Sequence, residues 1–335
     1  MKILHVHAGN LYGGVETILT SLVRYQKLAP GLEQRFALCF EGRLSKELAG
    51  LGAPVSMLGA VRASRPLSVW RARKKLKALL AHTNADVVVF HSTWSHALFA
   101  TVARAAGVRL VHWLHTSVGA TTWREVGSRM YPPDLMICNS RFTASSAGRL
   151  FGGVPAEVFY APCEATPPRA DPSATRAALG TPPFAVVILQ VARMEEWKGH
   201  RVLLESLSGL SGDLRWMTWV AGGAQQLSER KYADELAELA LRAGISDRVK
   251  FLGDRTDVPD LLAAADIVCQ PNTGPEGFGL AFVEALYAGK PVVTSSIGAA
   301  PEIVDDTCGV LVPAGNAPRL AEALGALVGD AGRRM

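Results

Sequence analysis

The chain has 335 residues, of which 49% are hydrophobic and 19% charged, and its net charge is +5. This composition excludes a disordered chain, and the most apolar stretches, 85–90 and 184–191, are far shorter than the roughly 20 residues of a membrane-spanning helix. The charge suits phosphate-bearing ligands or an anionic surface but is too mild and diffuse to argue for nucleic acid.

Domains usually hold about 100 to 200 residues, so the length predicts two domains, with one oversized domain as the alternative. The first strand is predicted at 2–7. It carries one basic residue, Lys2, and runs on without the apolar core and small-residue cleavage site of a signal peptide, so the protein is expected in the cytoplasm. Gly9-Asn10-Leu11-Tyr12-Gly13-Gly14-Val15-Glu16 follows that strand and opens a helix, a backbone cradle of the kind that holds phosphate. It lacks the G-x-G-x-x-G spacing of a dinucleotide site, which weakens a dehydrogenase reading. Further strands are predicted at 35–40, 54–58, 86–90, 109–114, 134–138 and 157–160, with helices in most gaps.

Within this half, residues 69–80 form an amphipathic helix, with apolar positions 69, 72, 76, 79 and 80 opposite a strongly basic face. His112 and His115 close an apolar strand: His112 packs within the sheet, and His115 projects from its carboxyl edge. A histidine at a strand end is most often structural, and a ligand role for His115 is the lesser reading of this pattern. The proline-dense run Ala165-Thr166-Pro167-Pro168-Arg169-Ala170-Asp171-Pro172 is the best linker, so the domains are predicted as 1–165 and 166–335. Two doubly wound sheets would take ligands at the carboxyl ends of their strands, in a cleft between them.

The second half restarts the alternation, with strands predicted at 184–191, 216–221, 248–252, 266–269, 291–294 and 309–312. In Gln190-Val191-Ala192-Arg193-Met194-Glu195-Glu196-Trp197-Lys198-Gly199-His200 a buried strand ends, and Arg193 and Lys198 enter the loop. A forked guanidinium and a mobile ammonium could neutralise one diphosphate without a metal. The strongest local signal is Pro275-Glu276-Gly277-Phe278-Gly279-Leu280-Ala281-Phe282-Val283-Glu284, which turns through glycines from a buried strand into a helix. Its free amides and positive helix end suit phosphate or a polarised sugar oxygen, and its two glutamates could grip hydroxyl pairs. Taken singly, these residues are more readily read as surface charges, a reading that the glycines between the two glutamates weaken. Cys39, Cys138, Cys163, Cys269 and Cys308 stand alone in the sequence, without metal-ligand spacing, and are read as reduced thiols. No metal site is expected.

Together, the Gly13-Gly14 turn, His115, Asn139-Ser140, the Arg193-to-Lys198 spacing, the Glu276-to-Glu284 element and Ala288-Gly289-Lys290-Pro291-Val292-Val293 resemble glycosyltransferase family 4 over essentially the whole chain. The resemblance implies an α/β GT-B fold of two Rossmann-like domains and a retaining, metal-independent transfer from a nucleoside-diphosphate sugar. It implies no cofactor, with UDP- or GDP-sugars as first candidates, and a saccharide, lipid-linked or small-molecule acceptor. Carried over by position, Arg193 and Lys198 would bind the diphosphate, Glu276 the sugar hydroxyls and Glu284 the ribose, helped by amides of Gly277, Phe278, Gly279 and Leu280. Gly13 and Gly14 would meet the phosphates, His115 the transferred sugar, and the backbone near Phe251 and Leu252 the base. Lipid-linked acceptors would give the basic helix at 69–80 a role in peripheral contact with the inner face of a membrane. A non-catalytic nucleotide-sugar-binding subunit and a nucleotide-sugar epimerase are the rival readings. Two departures stand out: Tyr160-Ala161-Pro162-Cys163-Glu164 replaces an Asn-Gly turn, and the chain stops where the family commonly continues into helices that return to the first domain.

Overall fold

A computed structural model of the chain describes residues 1–119, 121–210 and 212–334; Ala120, Ser211 and Met335, the last residue of the second predicted domain, lie outside them. The chain divides into unit 1, Met1–Pro162, and unit 2, Cys163–Met335. Unit 1 runs β1 (Lys2–His7), α1 (Gly14–Arg24), β2 (Glu33–Leu38), α2 (Arg43–Gly50), β3 (Val55–Met57), α3 (Pro66–Thr83), β4 (Val87–Phe90), α4 (Thr93–Ala105), β5 (Arg109–Leu114), α5 (Trp123–Ser128), β6 (Leu135–Cys138), α6 (Arg141–Leu150) and β7 (Ala156–Val158). Unit 2 runs α7 (Pro172–Ala178), β8 (Val186–Val191), α8 (His200–Ser208), β9 (Trp216–Ala221), α9 (Leu227–Arg242), β10 (Val249–Gly253), α10 (Val258–Ala264), β11 (Ile267–Gln270), α11 (Leu280–Tyr287), β12 (Val292–Ser295), β13 (Gly309–Val312) and α12 (Ala317–Gly329).

The strands form two parallel sheets, ordered β3-β2-β1-β4-β5-β6-β7 and β10-β9-β8-β11-β12-β13. This is the α/β architecture of two doubly wound domains expected from the sequence. The central strands of each sheet are buried on both faces, which is why they read as apolar runs and not as alternating ones. In β8, Val187 and Leu189 enter one cluster with Trp219 and Phe282, while Ile188 enters the other with Trp216 and Leu320. Successive side chains of a strand point to opposite faces, so one short run supplies two cores.

Of the strands that depart from their predicted bounds, two do so for identifiable reasons. β2 covers 33–38 and not 35–40, because it pairs in register with β1 from Lys2↔Glu33 to His7↔Leu38. Backbone pairing thus recruits the polar Glu33 and Gln34. β8 begins at Val186 and not at 184, since Phe184 is exposed and precedes the ladder. Among the described residues no helix is long and apolar enough to cross a membrane.

In each sheet the order of strands reverses once, between β1 and β4 and between β8 and β11. At such a switch the connections leave toward opposite faces and open a crevice at the carboxyl ends of the strands. The loops that follow β1, β4, β8 and β11 are therefore where each unit's chemistry is sought.

Candidate functional site

In unit 2, the loop after β8 carries Arg193 and Lys198, and the loop after β11 carries Glu276. Adjacent strands at the switch point bring the last two together. Lys198 Nζ lies 2.5 Å from Glu276 Oε2, with both side chains less than one-fifth exposed. Gln270 Nε2 and Asn272 Nδ2 each reach the same oxygen at 3.4 Å. Among the described residues no hydrogen bond reaches Glu276 Oε1. Lys198 also sits over the Trp197 ring, 4.0 Å from its centroid. The ammonium is thus held between a carboxylate and an aromatic face, which limits where it can travel.

The two loops are joined through their backbones. Trp197 O accepts from Thr273 N at 2.8 Å and from Gly274 N at 3.3 Å, and Gln190 Nε2 donates to Lys198 O at 2.8 Å. Glu276 O accepts from Ala299 N at 2.9 Å, in the turn after β12. Glu276 is consequently fixed from both sides by main chain, the kind of support a binding carboxylate requires.

Arg193 goes elsewhere. Its guanidinium pairs with Glu229 and, at 3.5 Å, with Glu195. Glu229 is buried in the first turn of α9, where its other oxygen accepts from Gln225 N at 2.6 Å. The structure therefore joins Lys198 to Glu276 but ties Arg193 to acids that the sequence reading did not single out. The signal for Glu229 was its place in the first turn of a helix; for Gln270 and Asn272 it was their position at the end of β11.

Gly277 and Phe278 lead into Gly279, the N-cap of α11, at φ +103, and Leu280 begins the helix. No side-chain hydrogen bond caps this end, the kind of helix terminus that can take an anion. Glu284 lies one turn further along α11, and its burial raises its pKa to about 7. Desolvation penalises its charged form, so the cost is absent below about pH 4.5, where the unfolded carboxyl is also protonated, and full above about pH 7. Glu284→Gln should therefore raise stability by about 2 kcal/mol at pH 8 and leave it nearly unchanged at pH 4.5, read by urea unfolding at both pH values. Phe251 and Leu252 lie in β10, which β9 separates from β8.

In unit 1, Gly13 is the extended N-cap of α1 and Gly14 its first residue. The Gly13 amide donates to Glu16 Oε2 at 2.9 Å, and Glu16 Oε1 meets His7 Nε2 at 2.7 Å. His112 is fully buried, as the reading of its strand expected. His115 lies just beyond β5, half-buried, and both its ring nitrogens have partners: His91 Nδ1 at 2.9 Å from Nε2, and Asn139 Nδ2 at 3.1 Å from Nδ1. His91, which the sequence reading passed over, stands beside His7 at the switch point.

Comparison with known proteins agrees with this layout. The family model described as Glycosyltransferase Family 4 matches residues 12–163, and that described as Glycosyl transferases group 1 matches residues 185–330. The chain is 32% identical over 282 residues to a D-inositol 3-phosphate glycosyltransferase of Xylanimonas cellulosilytica, covering 74% of this chain and 65% of that protein. It is 35% identical over 156 residues to a phosphatidyl-myo-inositol mannosyltransferase of Mycobacterium leprae, covering 44% of this chain and 39% of that protein. The matches thus span less than two thirds of these curated relatives' own length. Among solved structures, Anabaena Alr3699/HepE in complex with UDP and glucose aligns with a TM-score of 0.86 and 26% identity, covering 100% of this chain and 91% of that one. A glycosyltransferase from Rickettsia africae aligns at 0.81 with 20% identity, covering 98% and 88%, a likeness of fold alone.

Proposed function

The chain belongs to glycosyltransferase family 4, with the two-domain GT-B architecture, and from that premise we propose that it moves a sugar from a nucleoside-diphosphate sugar to an acceptor hydroxyl with retention of configuration. The observation that carries this reading is the Lys198–Glu276 pair at the switch point of unit 2, beside the uncapped amide end of α11. A diphosphate needs cations and amides; a sugar needs hydrogen-bond acceptors for its hydroxyls. Both kinds of group converge here.

Donor binding would exchange partners. Lys198 turns from Glu276 to the diphosphate, and Glu276 takes sugar hydroxyls in place of the ammonium. Arg193 neutralises the leaving phosphates, together with the amides of Gly277, Phe278, Gly279 and Leu280. Glu284 accepts the ribose diol, which meets a carboxyl that burial has left poorly solvated. The backbone at Phe251 and Leu252 is assigned to the base. Gly13 and Gly14 are assigned to the phosphates and His115 to the transferred sugar, all three at the ligand-taking edge of unit 1. The reaction rests on charge stabilisation and positioning, without a metal or carboxylate nucleophile. HepE was solved with UDP-glucose, which favours UDP-sugars as donors for this chain. The names of the curated relatives favour a polyol or lipid-linked acceptor.

A panel of UDP-, GDP- and ADP-sugars with polyol, saccharide and lipid-linked acceptors tests the assignment. The expected result is transfer from one donor class, undiminished by a chelator, giving a product with the donor's anomeric configuration. Arg193→Ala should lower kcat/KM by about 100-fold. Binding of a nucleotide sugar without turnover across the panel would point to a binding subunit, and conversion of donor alone to an epimerase.

Peripheral membrane contact belongs to the same reading. The helix predicted at 69–80 extends over Pro66–Thr83 as α3, and Leu67 and Trp70 are 70% and 60% exposed on it. Arg71, Lys74, Lys75 and Lys77 are exposed beside them, and no acidic residue lies between Glu47 and Asp86. Cations draw such a surface to anionic headgroups and exposed aromatic and aliphatic side chains enter the interface. The protein should sediment with anionic vesicles and not with neutral ones, and Trp70→Ala with Lys74→Glu should abolish the difference. Equal, negligible sedimentation of the wild type with both would exclude the contact.

A further inference from the structure

The carboxyl edge of the first sheet carries a row of polar side chains on adjacent strands. His5 lies within β1, His91 just past β4, His115 just past β5 and Asn139 just past β6. His5 Nδ1 lies 2.9 Å from His91 Nε2, His91 Nδ1 lies 2.9 Å from His115 Nε2, and Asn139 Nδ2 lies 3.1 Å from His115 Nδ1. Trp113 Nε1 closes the row, 2.6 Å from Asn139 Oδ1. His5, His91, Trp113 and Asn139 are at most 4% exposed. The His115 ring stacks on Trp113 and on His91, with centroids 5.4 and 5.2 Å apart.

A neutral imidazole can donate from either nitrogen, so three of them in series could run in either direction. The indole removes the ambiguity. It is only a donor, so the atom of Asn139 facing it must be the carbonyl oxygen. The amide NH2 then faces His115, whose Nδ1 must accept, which leaves the proton on Nε2. That proton is given to His91 Nδ1, and His91 in turn donates from Nε2 to His5 Nδ1. The reverse direction would set the amide NH2 against the indole N–H at 2.6 Å, donor against donor.

We infer that Trp113 and Asn139 are positioning residues that hold His115 as the neutral Nε2–H tautomer, through a one-way chain Trp113→Asn139→His115→His91→His5. The functional weight of this inference rests on the proposed place of His115 at the transferred sugar. Its consequence is specific: with both nitrogens engaged, His115 offers a ligand its ring edge and face at fixed orientation, and it does not act as a proton acceptor. Burial supports the neutral state, lowering the pKa of His115 to about 3 and of His5 to about 4, and holding His91 well below its ordinary value. The ionisable neighbours of the chain are His7, edge-on to His91 at 6.2 Å and paired with Glu16, and His112 within β5.

Histidine 15N NMR of the intact chain reads the tautomers directly. At pH 7 the wild type should show His115, His91 and His5 protonated on Nε2, unchanged on lowering the pH to 5. Asn139→Asp supplies a carboxylate that only accepts. It should draw the His115 proton to Nδ1, reverse the chain and bring His115 into titration, with kcat for transfer falling about tenfold or more at little change in donor KM. Trp113→Phe, which keeps a ring and loses the N–H, should leave His115 a mixture of tautomers; it serves also if the aspartate variant fails to fold. A wild-type His115 protonated on Nδ1, or a tautomer that neither variant alters, overturns the chain. A switched tautomer with undiminished transfer overturns the positioning role. Absence of transfer in the wild type would instead count against the proposed reaction, since the spectra need no turnover.

Discussion

Glu276→Ala should lower kcat/KM for sugar transfer by about 100- to 1000-fold while the chain stays folded. The effect has two sources. The carboxylate is the acceptor proposed for the sugar hydroxyls, and it is also the partner that holds Lys198 in place. Removing it leaves a cation less than one-fifth exposed over the Trp197 ring, without its carboxylate partner. Glu276→Gln separates the two roles, since the amide can still accept from a hydroxyl but no longer balances the ammonium. It should sit between the wild type and the alanine variant. Equal loss in both would place the weight on charge, and full activity in both would remove Glu276 from the site. Steady-state kinetics with circular dichroism of each variant reads all three outcomes.

Gly199→Ala should destabilise unit 2 by about 3–5 kcal/mol and release the loop that carries Lys198. Gly199 is both the C-terminal cap of the short turn Glu196–Lys198 and the N-cap of α8, at φ +75. A methyl group there would stand 1.8 Å from Pro271 O and 2.6 Å from its carbonyl carbon. Both contacts are main chain at the end of β11, so relief requires the two loops to part. The same contact that excludes a side chain is what brings Lys198 within reach of Glu276. Gly244 supplies the control: it has φ +68, but a methyl group there would meet nothing within 4 Å, so Gly244→Ala should cost only about 1–2 kcal/mol. Denaturant unfolding of the two variants checks the contrast. Similar losses at both positions would mean that backbone angle alone matters and that the loop contact does not.

The buried strands were legible because a parallel sheet covered on both faces writes itself as short apolar runs. The segments predicted at 2–7, 109–114, 216–221 and 309–312 match β1, β5, β9 and β13 residue for residue. The start of β2 was not, since Glu33 and Gln34 are recruited by pairing with β1 and carry no apolar signal. In the site, Lys198 and Glu276 could be singled out because glycines punctuate the loops around them. That they touch depends on β11 lying beside β8, a crossover past two intervening strands that periodicity does not encode. Glu229, Gln270 and Asn272 went unremarked for the same reason. His91 and His5 look like ordinary core histidines until the order β1-β4-β5-β6 lines them up with His115 and Asn139.

The central claim is that the edge of unit 2 around Lys198 and Glu276 holds the donor, and calorimetric binding tests it most directly. UDP and the UDP-sugar that supports transfer would each be titrated into the wild type, Glu276→Ala and Glu284→Gln. The expected result is that Glu276→Ala weakens UDP, through its hold on Lys198, by less than about tenfold and also loses the added affinity conferred by the sugar, whereas Glu284→Gln weakens both ligands alike. Wild-type affinities for nucleotide and nucleotide sugar that neither substitution alters would contradict the account.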